Sequence, residues 1–163
     1  MPDLDWTLEV GPMFIWKIWK SKNGLNSLSF EAPIRQVFAT DISDTKGIGI
    51  FMVPFLNFVM KARPSNFHIH SEITLAYMHA TKKYHSYFYG VPRKFAKAGR
   101  PAYSAGSGNS GVHVTFLASK KFGRFTFNPF LRYDYLKKAS FADSPLVRTN
   151  NYLVTGIVAS YIF

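Results

Sequence analysis

The chain contains no cysteine, and this absence removes several classes of site at once. Disulfides, thiolate metal ligands and cysteine nucleophiles are all excluded. Acidic residues are also few, at 9 against 20 lysines and arginines, which gives a formal net charge of +11. Such a basic chain attracts nucleic acid, anionic lipid or acidic polysaccharide. Because the basic residues fall mainly at predicted strand ends and loops, solvated loops at a membrane rim are favoured, and no nucleic-acid partner is expected.

A long hydrophobic run is missing too. The longest charge-free apolar stretch, 47–60, is shorter than the roughly 20 residues that a membrane-spanning helix needs. The acidic start, 1–5, does not have the pattern of a signal peptide, so the chain is interpreted as cytosolic, mature or a fragment. The mean hydropathy of -0.03 argues against an α-helical membrane protein. It permits a membrane β-barrel, in which half of each strand is polar.

What the chain does have is many aromatic residues, with 16 Phe and 9 Tyr, and a sequence period of two. The last residues show the period most clearly. Read back from Phe163, one face is Tyr161, Ala159, Ile157 and Thr155, and the other is Ile162, Ser160, Val158, Gly156 and Val154. Outer-membrane β-barrels commonly finish on such a strand, which runs about ten residues between a lipid face and a lumen face. Taken alone, this segment fits an edge strand of a soluble sheet equally well.

The same alternation recurs along the chain and predicts seven strands. They are 6–20, 25–38, 49–62, 67–80, 112–119, 125–137 and the terminal segment. Short turns (21–24, 63–66, 122–124) alternate with longer loops (40–47, 81–109, 139–149), an asymmetry typical of outer-membrane barrels. No helix is needed, although part of 90–100 could form a helical turn.

The predicted fold is therefore all-β: a single antiparallel transmembrane β-barrel domain over 1–163 with about seven or eight strands visible. Bacterial single-chain barrels have an even number of strands. The odd count therefore predicts that the N-terminal part of the barrel is truncated here.

Charged side chains fall on one predicted face of these strands, the face toward the barrel lumen. They are Glu9, Lys17, Glu31, Arg35, Glu72, Arg132 and Asp134. Opposite charges in a narrow lumen would pair, because an unpaired ion there is costly. A structural charge network is therefore favoured over an ion-selective pore. On the other face of 125–137, Phe125, Phe127, Leu131 and Tyr133 are predicted to meet lipid.

Candidate chemistry is sparse. His68, His70 and Glu72, together with His113, could ligate a metal, but a polar lumen in which they hydrogen-bond is favoured. Ser71 points away from His70 and Glu72, so these three cannot form a catalytic group. A nucleophile at Asp143–Ser144 with a distant histidine has no support in the pattern. No catalytic residue, metal site or cofactor is therefore predicted, and the protein is expected not to be an enzyme.

Several motifs resemble the MipA/OmpV family of outer-membrane proteins, also called MltA-interacting proteins. The similar segments are Tyr87-Phe88-Tyr89-Gly90-Val91, 98–103, 141–148, and Leu8-Glu9-Val10-Gly11-Pro12 with Trp16. The resemblance implies a barrel in the Gram-negative cell outer membrane, with no catalytic residues. It further implies a scaffold protein of the cell envelope, linked to peptidoglycan synthesis through a lytic transglycosylase and a murein synthase, or a surface adhesin. Family members usually carry a signal peptide and more N-terminal barrel sequence.

Two motifs are predicted as surface loops on this basis. Their residues are Tyr87, Phe88, Tyr89, Gly90 and Val91 in the first, and Asp143, Ser144, Pro145 and Arg148 in the second, with Arg148 near enough to pair with Asp143. The basic, aromatic loop 82–100 could contact lipopolysaccharide phosphates, although a solvated loop is favoured. The expected partners are thus the lipid bilayer and lipopolysaccharide, besides the murein enzymes. Two other functions stay open: a small passive pore, and a soluble β-barrel whose apolar faces surround a ligand.

Overall fold

The computed structural model describes residues 4–41, 44–62 and 69–162. They form one antiparallel sheet of nine strands. The strands are β1 Trp6–Val10, β2 Met13–Lys20, β3 Asn26–Asp41, β4 Asp44–Met52, β5 Phe55–Ala62, β6 Ile69–Ala80, β7 Gly108–Phe122, β8 Phe125–Tyr135 and β9 Asn151–Tyr161. Between β6 and β7 lie helix α1 (Lys82–Tyr89) and a 3-10 turn, Arg93–Phe95. The all-β prediction and the helical turn within 90–100 are confirmed, whereas the prediction that no helix is needed is wrong over 82–89.

Two of the seven predicted strands are interrupted in the structure. β1 and β2 follow one another along β3, and β4 and β5 follow one another between β3 and β6. The nine strands therefore correspond to the seven that the alternation predicts, in the order β1/β2, β3, β4/β5, β6, β7, β8, β9. Among the described residues no pairing joins β9 to β1 or β2, so the sheet is open along these two edges.

Both interruptions fall at one level of the sheet. β1 and β2 are separated at Pro12, and β4 and β5 at Pro54. The backbone of β3 connects the two breaks, because Ile34 N donates to Pro12 O at 3.0 Å and Val53 N donates to Pro33 O at 3.3 Å. Proline has no N–H to donate, so each one removes a ladder hydrogen bond and favours a break, although β3 itself continues past Pro33. We call Pro12, Pro33 and Pro54 the proline line; it divides the sheet into a turn end and a loop end.

The connections differ between these two ends. At the turn end, β7 and β8 are joined by Gly123–Arg124 alone and β2 and β3 by 21–25, which confirms the predicted short turns; 63–66 lies outside the described residues. At the loop end, the segment 136–150 is a long irregular connection, as predicted. The prediction of a loop over 40–47 is wrong for the described residues, because Thr40 of β3 pairs with Thr45 of β4 and their hydroxyls lie 3.0 Å apart.

Cross-strand partners in an antiparallel sheet share a face, so the register sorts the side chains. We call the face that meets α1 and 136–150 the inner face, and the opposite one the outer face. On β8, Phe125, Phe127, Leu131 and Tyr133 lie on the outer face and are 39% to 50% exposed. Arg132 and Asp134 alternate with them on the inner face, where Asp134 is buried. This is the orientation that the alternation predicts.

The outer face carries very little charge. On the described strands its one charged side chain is Lys120, beside the β7–β8 turn, with its ammonium 4.6 Å from the centre of the Phe122 ring. The rest is largely apolar and exposed, and includes Trp6, Leu8, Phe14, Trp16, Ile34, Leu56, Ile73, Leu75, Val114, Phe116, Leu131, Leu153 and Ile157. A continuous apolar surface of this kind marks contact with an apolar environment.

Candidate functional site at the loop end

Helix α1 lies directly against the inner face of β4. Its approach depends on Gly49, which has φ +132°, and where a β-carbon would collide with Thr81 and the backbone of Tyr84. Thr81 N donates to Ile50 O at 3.0 Å, and Ile50 N donates to Thr81 Oγ1 at 3.1 Å. The helix therefore starts from a residue already bonded to the sheet. Tyr84 then stacks on Phe51 of β4, with ring centroids 5.0 Å apart and planes within 1°.

His85 fixes the other side of α1 and is completely buried. Its Nδ1 lies 2.6 Å from Gly106 O, and its Nε2 lies 2.7 Å from Ser110 Oγ on β7. Burial lowers the pKa of His85, with a smaller contribution in the same direction from His79, while the bond to Gly106 acts the other way. A neutral imidazole that donates from Nδ1 and accepts the Ser110 proton at Nε2 satisfies both nitrogens. The result is a clamp between α1, the 106 segment and β7.

The two sequence motifs meet beside this clamp. Tyr89 at the end of α1 stacks on Phe141, with centroids 3.6 Å apart and planes within 3°. Ser144 Oγ donates to Tyr89 O at 2.7 Å, and the Phe141 ring lies edge-on to His85 at 5.0 Å. Phe141 and Ser144 are only 2% and 3% exposed. His85, Tyr89, Phe141 and Ser144 therefore form one packed unit, which we call the motif cluster.

A cavity of about 350 Å³ lies between the motif cluster and the inner face. Aromatic rings line much of it, including Phe51, Tyr84, Tyr89 and Phe141. Burial raises the pKa of Tyr84 to about 12, helped by the negative charge of Glu9. Burial also raises the pKa of Tyr89. Both phenols are consequently neutral hydrogen-bonding groups at any physiological pH.

One ion pair completes the wall of this cavity. Arg132 Nε donates to Asp134 Oδ2 at 2.9 Å, and Arg132 Nη2 donates to Asp134 Oδ1 at 2.6 Å. The Asp134 side chain is 10% exposed and that of Arg132 is 39% exposed. His113 Nδ1 is 4.0 Å from Asp134 Oδ1, which is too far for a hydrogen bond. Two-point bonding of this kind fixes the orientation of the guanidinium.

The predicted lumen charges lie on one face of the sheet. The register places Glu9, Lys17, Glu31, Arg35, Glu72, Arg132 and Asp134 on the inner face. Away from the Arg132–Asp134 pair, the contacts are local: Glu31 accepts from Ser29 at 2.9 Å, and Glu72 lies 2.8 Å from His70 Nε2. Arg35 instead donates to Gly11 O and Pro12 O, at 2.6 and 2.8 Å, and so serves the first break in the proline line.

The whole chain matches one known protein family. The family model described as MltA-interacting protein MipA matches residues 1–163. The chain belongs to this family. No curated protein and no solved structure matches the chain. Membership confirms the resemblance inferred from the motifs.

The MipA-family motifs are less exposed than predicted. Tyr87, Phe88 and Tyr89 belong to α1, and Gly90 and Val91 are buried instead of lying in a surface loop. Val91 is drawn inward by backbone pairing with Tyr103, with N–O distances of 2.8 and 3.0 Å in the two directions. In the second motif Ser144 is buried and Pro145 half-buried, while Asp143 and Arg148 are exposed. Among the described residues, no ion pair joins Asp143 to Arg148.

The sequence pattern of this MipA-family chain does not predict the His85–Ser110 contact. The two residues are 25 positions apart and belong to no motif, and only the helix that the alternation missed brings them together. The sequence pattern does not predict the stacking of the half-buried Tyr84 and Phe51 for the same reason. A helical spacing of aromatic residues over 84–89 was the signal available to find it.

Metal ligands are not assembled in the part of the chain that the structure describes. Within it, no group of three or more histidine, aspartate or glutamate side chains lies close enough to hold a metal ion. Of the candidate metal ligands, His68 lies outside the described residues, and His70 contacts Glu72. The described helices include none with the length and apolar character to cross a membrane.

Proposed function

We propose that this protein is a non-enzymatic outer-membrane protein that acts as a scaffold for murein-processing enzymes. The outer face of the sheet would contact the acyl chains, and the inner face would enclose α1, 136–150 and the charged side chains. The single observation that carries the membrane assignment is the outer face, where Lys120 at the rim is the one charge on the described strands. Charge placed on a lipid face is costly, and most strands of a soluble sheet carry polar side chains on their exposed face.

The family description supports the partner. The family is described as MltA-interacting protein, and MltA is a lytic transglycosylase. In outer-membrane barrels the tight turns face the periplasm, where murein lies, and the long loops face outward. The turn end would therefore contact the enzyme, with Lys22 and Lys121 as exposed basic groups. A murein synthase is a second partner under the same proposal.

The loop end would meet lipopolysaccharide. Lys82, Lys83, Arg93, Lys94 and Lys97 are all exposed around α1 and the 3-10 turn. Lysine and arginine bind phosphate oxygens through charge-assisted hydrogen bonds. A dense basic surface at the outward end would thus anchor the protein among anionic headgroups.

A binding experiment with matched charge reversals tests the scaffold function. The full chain, refolded in lipid vesicles, is used to capture purified lytic transglycosylase. Lys22→Glu with Lys121→Glu at the turn end should weaken capture severalfold. Lys82→Glu with Lys94→Glu at the loop end should leave capture unchanged and instead weaken binding of lipopolysaccharide. Absence of capture by the unmodified protein would reject the scaffold role.

Membrane insertion has its own test. A membrane barrel should float with vesicles and migrate differently on gels before and after heating. Recovery of the refolded chain as a soluble monomer without detergent would favour the soluble barrel instead. The passive pore stays an alternative; stepwise conductance in a planar bilayer would support it, since scaffolding needs no open lumen.

A further inference from the structure

The cavity beside the motif cluster holds hydrogen-bonding groups that the fold itself does not use. Asp134 is bonded to Arg132, and Ser110 is bonded to His85. What remains is the second terminal nitrogen of Arg132, Nη1, and the hydroxyls of Tyr84, Tyr89 and Tyr152, three residues that line the cavity together with Arg132. Among the described residues, none of these four groups has a hydrogen-bond partner. The cavity therefore offers donors in excess and invites a ligand rich in acceptor oxygens.

The rest of the wall is apolar. Met78, Leu136 and Phe141 are buried there, and Phe51, Leu146 and Val147 are half-buried. At about 350 Å³ the cavity lies near the lower end of the roughly 300 to 1,000 Å³ usual for small-molecule sites. Its size suits one or two rings. We propose that this cavity binds a small aromatic carboxylate, with the ring between the apolar walls and the carboxylate at Arg132 Nη1 and the tyrosine hydroxyls.

Arg132 favours an anion over a cation here, although Asp134 lines the cavity and the negative charge of Glu9 acts on Tyr84. Asp134 already accepts three hydrogen bonds from Arg132, so a cationic ligand would have to displace the guanidinium. The cavity residues Leu136 and Val147 are flanked in sequence by exposed basic side chains, namely Lys137, Lys138 and Arg148. The whole chain has a net charge of +11. Such a field raises the local concentration of anions and speeds their encounter.

Calorimetric titration of the full chain in detergent micelles tests the proposal with 2-naphthoate as the probe. We expect saturable binding at one site, and at least tenfold weaker binding of the neutral isostere 2-naphthamide. The variant Leu146→Trp fills the cavity and should abolish the saturable heat, while retaining any partition of the probe into micelles. This variant separates site binding from micelle uptake.

A paired variant tests the polar contact. Arg132→Gln with Asp134→Asn removes both charges together and leaves no buried carboxylate unpaired. It should weaken naphthoate binding at least tenfold, because a charge-assisted hydrogen bond is lost. The matched control, Arg35→Gln with Glu72→Gln, removes one base and one acid from the inner face outside the cavity and should bind like the unmodified chain.

Three results overturn the inference. They are absence of saturable binding, equal affinity for naphthoate and naphthamide, and unaltered affinity in the paired variant. If the paired variant does not fold by circular dichroism, Leu146→Trp decides, and unaltered binding by that variant rejects the site. None of these readouts depends on a protein partner or on capture of the lytic transglycosylase, so the inference and the scaffold proposal fail separately.

Discussion

The loop end and the turn end of the sheet bury their apolar residues in different ways. At the loop end, Phe141, His85 and Val91 are at most 2% exposed, because α1 and 136–150 cover the inner face. At the turn end, Phe122 and Phe125 remain 52% and 50% exposed, although Phe125 contacts the ring of Tyr161. The loop end therefore makes a core from its own residues. Among the described residues, no segment covers the rings of Phe122 and Phe125 in this way.

The largest expected effect is the loss of a ring from the loop-end core. Phe141→Ala removes the partner of Tyr89 and His85 and leaves a cavity, so it should cost about 3–5 kcal/mol of unfolding free energy. Urea unfolding in micelles measures this cost. Phe127→Ala on the outer face leaves no enclosed cavity and should cost about 1–2 kcal/mol. Equal costs for the two variants would remove the distinction between the ends.

A charge on the outer face comes next. Leu131→Arg, near the middle of β8, should cost about 2–4 kcal/mol in a bilayer, because the guanidinium would face hydrocarbon. Asn128→Arg on the inner face of the same strand is the matched control and should cost far less. Unfolding in vesicles compares the two. A tolerant Leu131 site would mean that the outer face meets water.

The ion pair of the inner face should have a smaller effect. Asp134→Asn leaves the hydrogen-bonding shape but removes the charge, and we expect a loss of about 1–2 kcal/mol, since Arg132 is partly solvated. Glu72→Gln should cost under about 1 kcal/mol, because the Glu72 side chain is 32% exposed against 10% for Asp134. The comparison uses the same urea titration. A larger loss at Glu72 would contradict the ranking.

The smallest effect is a pH dependence confined to the loop end. The pKa of His85 is lower in the folded protein than its ordinary 6.5, so the unfolded chain binds the proton more tightly. The contribution of neutral His85 to the free energy of unfolding is therefore complete above about pH 6.5. It falls as the pH drops toward the folded pKa, by at most about 1.4 kcal/mol per pH unit. His85→Gln should flatten this dependence. Stability that rises on acidification would give the opposite sign and reject the assignment.

The sheet was predictable because its pattern is local. Alternation placed Leu131 and Arg132 on opposite faces without knowledge of any partner strand. The Asn23-Gly24 and Gly123 signals likewise located two tight turns. The polar residues of 40–47 resemble a loop, but the strand pairing of β3 and β4 extends as far as Thr40 with Thr45 and Asp41 with Asp44.

The loop-end site was less predictable, since its contacts join distant segments. Ser144 and Tyr89 are 55 positions apart, and a side chain that bonds a backbone carbonyl leaves no periodic signal. The helix that carries Tyr89 is short and has no acidic residue in its first turn and no side-chain cap, so the usual start signals are absent. Its position is set by tertiary packing on Gly49 and Phe51, which only the fold supplies.

The proline line also bears on how the sheet opens. Pro12 separates β1 from β2, and Pro54 separates β4 from β5. The amide hydrogens on the two sides of each break therefore need not exchange with solvent as one cooperative unit. β3 runs unbroken past Pro33 and pairs with the strands of both halves. Amides of β1 and β4 should follow the protection of the loop-end half, which α1 covers, while those of β2 and β5 follow the protection of the turn-end half. Deuterium uptake should therefore distinguish two halves of one sheet that open separately.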